Sequence, residues 1–264
     1  MMARVLFFSL VVPSGAPPEI IAHRGASDEA PENTRAAFRL GWEQADACEC
    51  DVTLTKDGRL AVIHDATTKR TAGLDRRVAD QTLEELKSLD AGSWKGAKWS
   101  GEKIPSLEEV LEILPEGKRL FIEVKGGPES LPELERVLGA FPGKVARVAV
   151  IGFGYDTMVQ ARKRLPKVQV FWISGSKPDR KTGQVPDLDT LVAKARAGGL
   201  DGLDLEKGFS IDAAFVAKVR TAGLKLYTWT VDDAATARAE AAAGVDGITT
   251  NRPGWLRREL ASSK

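Results

Sequence analysis

The chain has 264 residues, 43% hydrophobic and 28% charged, the make-up of an ordinary globular domain with a full core. Lys and Arg number 38 against 37 Asp and Glu, so no global field draws nucleic acid or anionic membrane. Any phosphate recognition must be local, through a few placed cations.

The N-terminal segment, residues 1–18, reads in two ways. Arg4, an apolar run over 5–12 and then Ser14-Gly15-Ala16 have the shape of a short export signal. The run is short and Pro17 follows the candidate cleavage site, so an apolar arm covering the bottom of the fold fits equally. Cytoplasmic residence and export both stay open. No later run approaches the ~20 apolar residues of a membrane span.

From residue 19 onward strand-like and helix-like segments alternate. Short runs rich in Val, Ile, Leu and aromatics predict strands at 19–22, 46–54, 119–125, 145–151, 168–173, 200–205, 224–230 and 245–249. Helical patterns fall at 33–44, 106–114, 131–140, 155–164, 187–197, 211–221, 232–243 and 254–261. Ser106, Asp156 and Asp232 are placed as N-caps, Asn33 as an N-cap or a direct site residue, and Gly198, Gly223 and Gly244 as C-terminal stops. Eight strands, each followed by a helix, predict a (β/α)8 barrel in one domain, residues 19–264. A doubly wound sheet would need a glycine-rich phosphate loop after the first strand, and His23-Arg24-Gly25-Ala26 is not one.

Strict alternation fails once. The stretch 53–60 reads as a hairpin turning on Asp57-Gly58, with Lys56 opposite Arg59 and therefore Asp51 opposite His64. Residues of about 66–105 then form an insertion over the barrel mouth, with Trp94 and Trp99 as its packing. Cys48 and Cys50, in the second strand, alternate away from Glu49 and Asp51 and read as small buried residues under a helix.

Charged residues gather where barrel strands end. His23 and Arg24 close the first strand, Glu49 and Asp51 lie in the second, and Glu123 and Lys125 share a face of the next. A core rejects such charges unless they are paired or bind an ion. Three carboxylates from neighbouring strands make a hard-oxygen site suited to Mg2+ or Ca2+ rather than zinc. Arg24 and Lys125 supply donors for a phosphate. His23 and His64, the two histidines of the chain, are the groups that exchange protons near neutrality. Any one of these residues alone fits a buried salt-bridge layer; all seven together point to metal-assisted phosphodiester cleavage.

The motifs His23-Arg24-Gly25-Ala26, Pro31-Glu32-Asn33-Thr34 and Glu49-Cys50-Asp51-Val52 occur in order with Thr55-Lys56-Asp57-Gly58 and His64-Asp65. Ile104-Pro105-Ser106-Leu107, Ile122-Glu123-Val124-Lys125, Trp229-Thr230-Val231-Asp232 and Gly244-Val245-Asp246-Gly247 follow. This series resembles the glycerophosphodiester phosphodiesterase family from about residue 19 to 253. The resemblance implies a TIM barrel with a small insertion after the second strand. It implies Glu49, Asp51 and Glu123 as ligands of one divalent cation, Mg2+ or Ca2+, and Arg24 and Lys125 as phosphate holders. It implies His23 and His64 as the acid–base pair, and Trp229 packed against glycerol.

The expected substrate is a glycerophosphodiester, cleaved to glycerol-3-phosphate and an alcohol, by way of a cyclic glycerol phosphate. A barrel lyase that stops at the cyclic phosphate and a non-catalytic phosphodiester-binding module are the alternatives. The chain departs from the family pattern at Asn251, where Thr-Asp is common, and at Gly152-Phe153, where Ser-Phe is common.

Overall fold

The computed structural model describes residues 17–178 and 183–262. Of the segment read as an arm or export signal, only Pro17 and Pro18 fall within them.

The strands in chain order are β1 (Glu19–Ala22), β2 (Ala47–Leu54), β3 (Leu60–Val62), β4 (Arg119–Val124), β5 (Val148–Gly152), β6 (Gln169–Ser174), β7 (Gly202–Glu206), β8 (Lys225–Trp229) and β9 (Gly247–Thr250). The helices are α1 (Arg35–Gln44), α2 (Lys69–Ala72), α3 (Leu83–Ser88), α4 (Leu107–Ile113), α5 (Leu131–Ala140), α6 (Tyr155–Arg164), α7 (Leu188–Ala197), α8 (Ala213–Thr221), α9 (Ala234–Ala243) and α10 (Pro253–Ala261). Every strand except β3 is parallel to its neighbours, and pairing of β1 with β2 closes the ring. The (β/α)8 barrel read from the alternation is the observed fold.

Strand alternation divides the side chains between two cores. Residues facing outward, such as Cys48, Cys50, Ile122, Val150 and Leu203, pack under the helices. Cys48 lies beneath α1, its Sγ 3.6 Å from the Phe38 carbonyl, and both cysteines are buried and free. Inside the barrel, Ile21, Ala47, Phe121, Ala149, Phe171 and Tyr227 fill the lumen. The Tyr227 ring stands edge-on to Phe171 at 4.8 Å and to Phe121 at 5.2 Å, geometries favoured by the aromatic quadrupole. Below them Arg119 joins Glu19 at 2.6 Å and Gln169 at 2.7 Å. The lumen is thus plugged at its foot, and a cavity opens at the C-terminal ends of the strands.

The hairpin differs from its expected register. Val52 pairs with Val62 and Leu54 with Leu60, so Asp51 faces Ile63 and His64 stands one residue further on. The loop has three residues because Gly58 takes a left-handed φ of +72° after a turn in which its N–H donates to the Thr55 carbonyl. A type I turn followed by one left-handed residue is the usual three-residue hairpin. Between β3 and α4 the chain folds over β3, burying Ile63, Val78, Leu86 and Ile104 together. Trp94 is 41% exposed and stacks with Lys95 rather than filling that core.

Three caps also fall elsewhere. Thr34, not Asn33, caps α1 by accepting from the Ala37 N–H; Asp233, not Asp232, caps α9; and Gly154 precedes α6, with Asp156 in its first turn. Neighbouring residues of equal capping strength compete in each case but the last, and the displaced Asn33 and Asp232 are bonded to groups at the barrel rim. Ser106 caps α4 through a full capping box with Glu109.

Candidate active site

Glu49 and Asp51 point inward from β2, and Glu123 does the same on β4, where it pairs in register with Asp51. One carboxylate oxygen from each lies within 4.8 Å of the others. Asp51 is fully buried. Glu49 Oε1 and Asp51 Oδ1 find no hydrogen-bond donor among the described residues. Burial and then the charges of Asp51 and Glu123 drive Glu49 well above the usual carboxylate range. Burial and Asp51 likewise push Glu123 up to about 7. Burial opposes ionisation of Asp51 too, but Arg24, Lys125 and His64 outweigh it and hold Asp51 low. Three crowded acids, two of them with an orphaned oxygen, are what a divalent cation would relieve, so the donor set fits one.

Two cations flank the acids. Arg24 follows β1 with a left-handed φ of 55°, and the following Gly25 has a φ of 76°. A Cβ on Gly25 would lie 2.4 Å from the Ala37 carbonyl carbon, so this tight bend against α1 requires glycine. The bend aims the Arg24 N–H at Glu49 Oε2 at 2.9 Å and its guanidinium Nε at Asp51 Oδ2 at 3.2 Å. Lys125 Nζ sits 2.8 Å from Glu123 Oε1 and 3.5 Å from Asp51 Oδ1. Burial works against the Lys125 charge, but Glu123 and Asp51 raise its affinity for the proton.

The histidines stand on either side. His23 Nδ1 is 2.8 Å from Asn251 Oδ1, while Nε2 lies 4.0 Å from Glu49 Oε2. Asn251 Nδ2 donates to Asp232 Oδ2, which fixes the amide with its oxygen toward the ring. Burial and then Arg24 lower the His23 pKa to about 4, so the ring is neutral at pH 7, with Nδ1 protonated and Nε2 free. His64 Nδ1 is 2.7 Å from Asp65 Oδ1. Arg70 on α2 holds Asp65 through Nε at 2.7 Å and Glu32 through Nη1 at 2.7 Å. Glu32 in turn accepts from Arg24 Nη1 at 2.9 Å. A continuous chain therefore runs from His64 to the guanidinium beside the acids.

Trp229 ends β8, meets Phe153 edge-on at 5.6 Å and donates its indole N–H to the Asp204 carbonyl at 3.2 Å. His23, Arg24, Glu49, His64, Glu123, Lys125 and Trp229 line one cavity of about 310 Å3, and Asp51 lies buried behind it. All eight residues singled out from sequence therefore meet at one end of the barrel. The sequence reading gave no part to Asp65, Arg70 or Asp204, and it left Glu32 without a role. For Asn33 a helix cap and a direct part in the site were both open, and Asn33 donates Nδ2 to Asp51 Oδ2 at 2.8 Å. An Asp between Leu203 and Leu205 was the one visible signal for Asp204, since alternation turns it inward.

A closed eight-stranded parallel barrel with an acid cluster and two histidines at its C-terminal rim belongs to the class of barrel enzymes that work at the strand ends. The profile of the Glycerophosphoryl diester phosphodiesterase family matches residues 23–255. A glycerophosphodiester phosphodiesterase of Caldanaerobacter subterraneus is 36% identical over 90% of this chain and 95% of its own length. One from Bacillus subtilis is 32% identical, over 88% of this chain and 83% of its own. The solved structure of an Oleispira antarctica phosphodiesterase, in complex with the product sn-glycerol-3-phosphate, superimposes with a TM-score of 0.81. That protein is 28% identical, with 93% of this chain and 97% of that one covered. The chain belongs to the glycerophosphoryl diester phosphodiesterase family.

Proposed function

We propose that this protein is a divalent-metal-dependent glycerophosphodiester phosphodiesterase that releases glycerol-3-phosphate and an alcohol through a cyclic glycerol phosphate. The observation that carries the reading is the cluster of Glu49, Asp51 and Glu123, within 4.8 Å of one another and bordered by Arg24 and Lys125. A cation held by the three carboxylates supplies Lewis-acid polarisation of the phosphoryl group and offsets the negative charge that builds on it. Arg24 presents a planar fork and Lys125 a point charge to the remaining phosphoryl oxygens.

The acid–base roles follow from the two histidine environments. His23 is neutral, with Nε2 free beside the acids, so it takes the proton from the glycerol hydroxyl next to the phosphoester. That oxygen attacks phosphorus while the bond to the departing alcohol breaks. His64 is the more exposed ring, at 32% against 17% for His23, and Asp65 offsets the positive charge of its protonated form. It gives its proton to the leaving oxygen. Water then opens the cyclic phosphate with the two roles exchanged, as reversibility of the steps requires. Trp229 and Phe153 offer an apolar wall to the glycerol carbons.

The substrate assignment also rests on the family and on the product bound in the Oleispira antarctica relative. Glycerol-3-phosphate release should be measured from glycerophosphocholine, glycerophosphoethanolamine and glycerophosphoglycerol, with phosphorus NMR following the reaction. A transient cyclic phosphate and glycerol-3-phosphate as the final product support the reading. A cyclic phosphate that accumulates without opening assigns the chain to a lyase instead.

A further inference from the structure

The cavity wall away from Arg24 and Lys125 is apolar, formed by Ile151, Phe153, Ile173 and Trp229. The polar side chains that share the lining with this wall are Asp204, Thr230 and Thr249, and Asp204 is the acid among them. Asp204 turns inward from β7 between Leu203 and Leu205, which pack outward under the helices, and it is 3% exposed while lining the cavity. Its Oδ1 is buried and has no hydrogen-bond partner among the described residues. In the sheet it stands beside Ile173 on β6 and Tyr227 on β8, and its own carbonyl takes the Trp229 indole N–H. The carboxyl therefore lies in the apolar wall, at the foot of Trp229.

Native proteins rarely leave a buried polar atom without a partner, so an orphan that faces a ligand cavity is open to a partner from the ligand. The groups that act electrostatically on Asp204 are Glu123 and Glu240, both acids. Burial and these neighbours push its carboxyl up to about 8, so at neutral pH it is uncharged and both donates and accepts. A neutral carboxyl suits a hydroxyl rather than a cationic group.

We propose that Asp204 is a specificity residue that hydrogen-bonds the terminal hydroxyl of the bound glycerol unit. The inference rests on the glycerophosphodiester reading above. When the ester oxygen and its neighbouring hydroxyl are held at phosphorus by the charged side of the cavity, the third oxygen of glycerol is the one free to extend toward Trp229. Its hydroxyl would complete the bonding of the buried Oδ1. A hydrogen-bonding site of this kind discriminates against a ligand that lacks the hydroxyl, because the buried carboxyl is then left unpaired.

The test compares two substrates that both keep the attacking hydroxyl. Glycerophosphoethanolamine carries the terminal hydroxymethyl group, and 2-hydroxyethyl phosphoethanolamine lacks it. The wild type should favour the first by about tenfold or more in kcat/KM. In Asp204→Leu that preference should fall to within about twofold, and Asp204→Asn, whose amide still donates and accepts, should keep it to within about threefold. An unchanged preference in Asp204→Leu overturns the assignment. So does an equal loss on both substrates accompanied by a lowered melting temperature, which marks a structural role. Glycerophosphoglycerol, with an uncharged alcohol, adds a third arm: a defect seen with ethanolamine but not with glycerol as the leaving alcohol places Asp204 at the cation and overturns it too. Failure of the wild type to turn over any of the three overturns the phosphodiesterase reading and this assignment with it.

Discussion

Asn33 and Asp51 bond to each other in both directions: the Asn33 amide donates to Asp51 Oδ2 at 2.8 Å, and its oxygen accepts the Asp51 backbone N–H at 3.3 Å. Asn33 does this from a left-handed φ of 59°, a conformation that asparagine tolerates better than most residues. The clasp occupies Oδ2 and leaves the other oxygen, Oδ1, 3.5 Å from Lys125 Nζ. Partners of this kind orient ligating carboxylates, and their removal commonly weakens metal affinity by about 10–100-fold. Asn33→Ala should therefore raise the cation concentration needed for half-maximal activity by about that factor, with the maximal rate largely restored at saturation. A titration of rate against Mg2+ or Ca2+ checks this, and an unshifted midpoint removes Asn33 from the site.

His23→Ala and His64→Ala should each lower turnover by about 10²–10⁴-fold, the range for loss of a general acid or base. Binding of glycerol-3-phosphate should change much less. Single-turnover kinetics with a calorimetric measurement of product affinity separates the two effects. Full activity in either variant shows that the histidine concerned moves no proton in the reaction.

Arg70 joins His64, through Asp65, to Arg24, through Glu32, by charge-assisted hydrogen bonds of 2.7 to 3.0 Å. Replacing it by glutamine should lower kcat by roughly 10-fold or more with a smaller change in KM, because Asp65, the carboxylate that orients the His64 ring, loses its anchor. Arg70→Lys should not restore the rate, since an ammonium cannot engage two carboxylates with a planar fork. Only two histidines are present, so nitrogen NMR of the labelled rings reads the effect at His64 directly. In the neutral form of the ring, wild-type His64 should hold its proton on Nδ1, toward Asp65, and the variant should show a mixture of the two tautomers. A tautomer balance that does not move contradicts the positioning role.

Asp204 also makes a prediction about stability. The unfolded chain loses this proton near the ordinary aspartate value of about 3.9. The folded chain keeps it until about 8. Between these values the native state binds more protons than the unfolded state, so stability falls as pH rises through this window. What the group contributes is fully present below about pH 4 and lost by about pH 8. Asp204→Asn cannot ionise. In metal-free protein its melting temperature should gain on the wild type by several degrees as pH is raised from about 5 to 8.5. A difference between the two proteins that stays constant across that range contradicts the assigned burial of an uncharged carboxyl.

The barrel was legible because its eight strands are short apolar runs set between capped helices, and because charged residues sit at the ends of several of them. His23, Arg24, Glu49, Asp51, Glu123 and Lys125 carried that signal through alternation and position, whereas the part of Trp229 came from the family resemblance. The hairpin register was not legible to one residue. Asp57-Gly58 suits a two-residue turn as well as a three-residue one, and the left-handed residue that decides between them is the same Gly58 in both. Asn33 and Thr34 are both good caps, and the choice of Thr34 frees Asn33 for Asp51, a contact 18 residues away along the chain. Arg70 and Glu32 are 38 residues apart and meet only because the segment after β3 folds back over the rim. Asp204 stood in no motif, and its meaning came from the cavity that it faces.

The central claim is that Glu49, Asp51 and Glu123 together hold the cation on which cleavage depends. The most direct test strips the protein with EDTA, returns Mg2+ or Ca2+ in steps and follows glycerol-3-phosphate release in the wild type and in Asp51→Asn. The wild type should lose its activity with EDTA and regain it with the cation, and Asp51→Asn should need at least about tenfold more cation for half-recovery. Activity that survives EDTA, or an Asp51→Asn curve that overlies the wild type, would contradict the account.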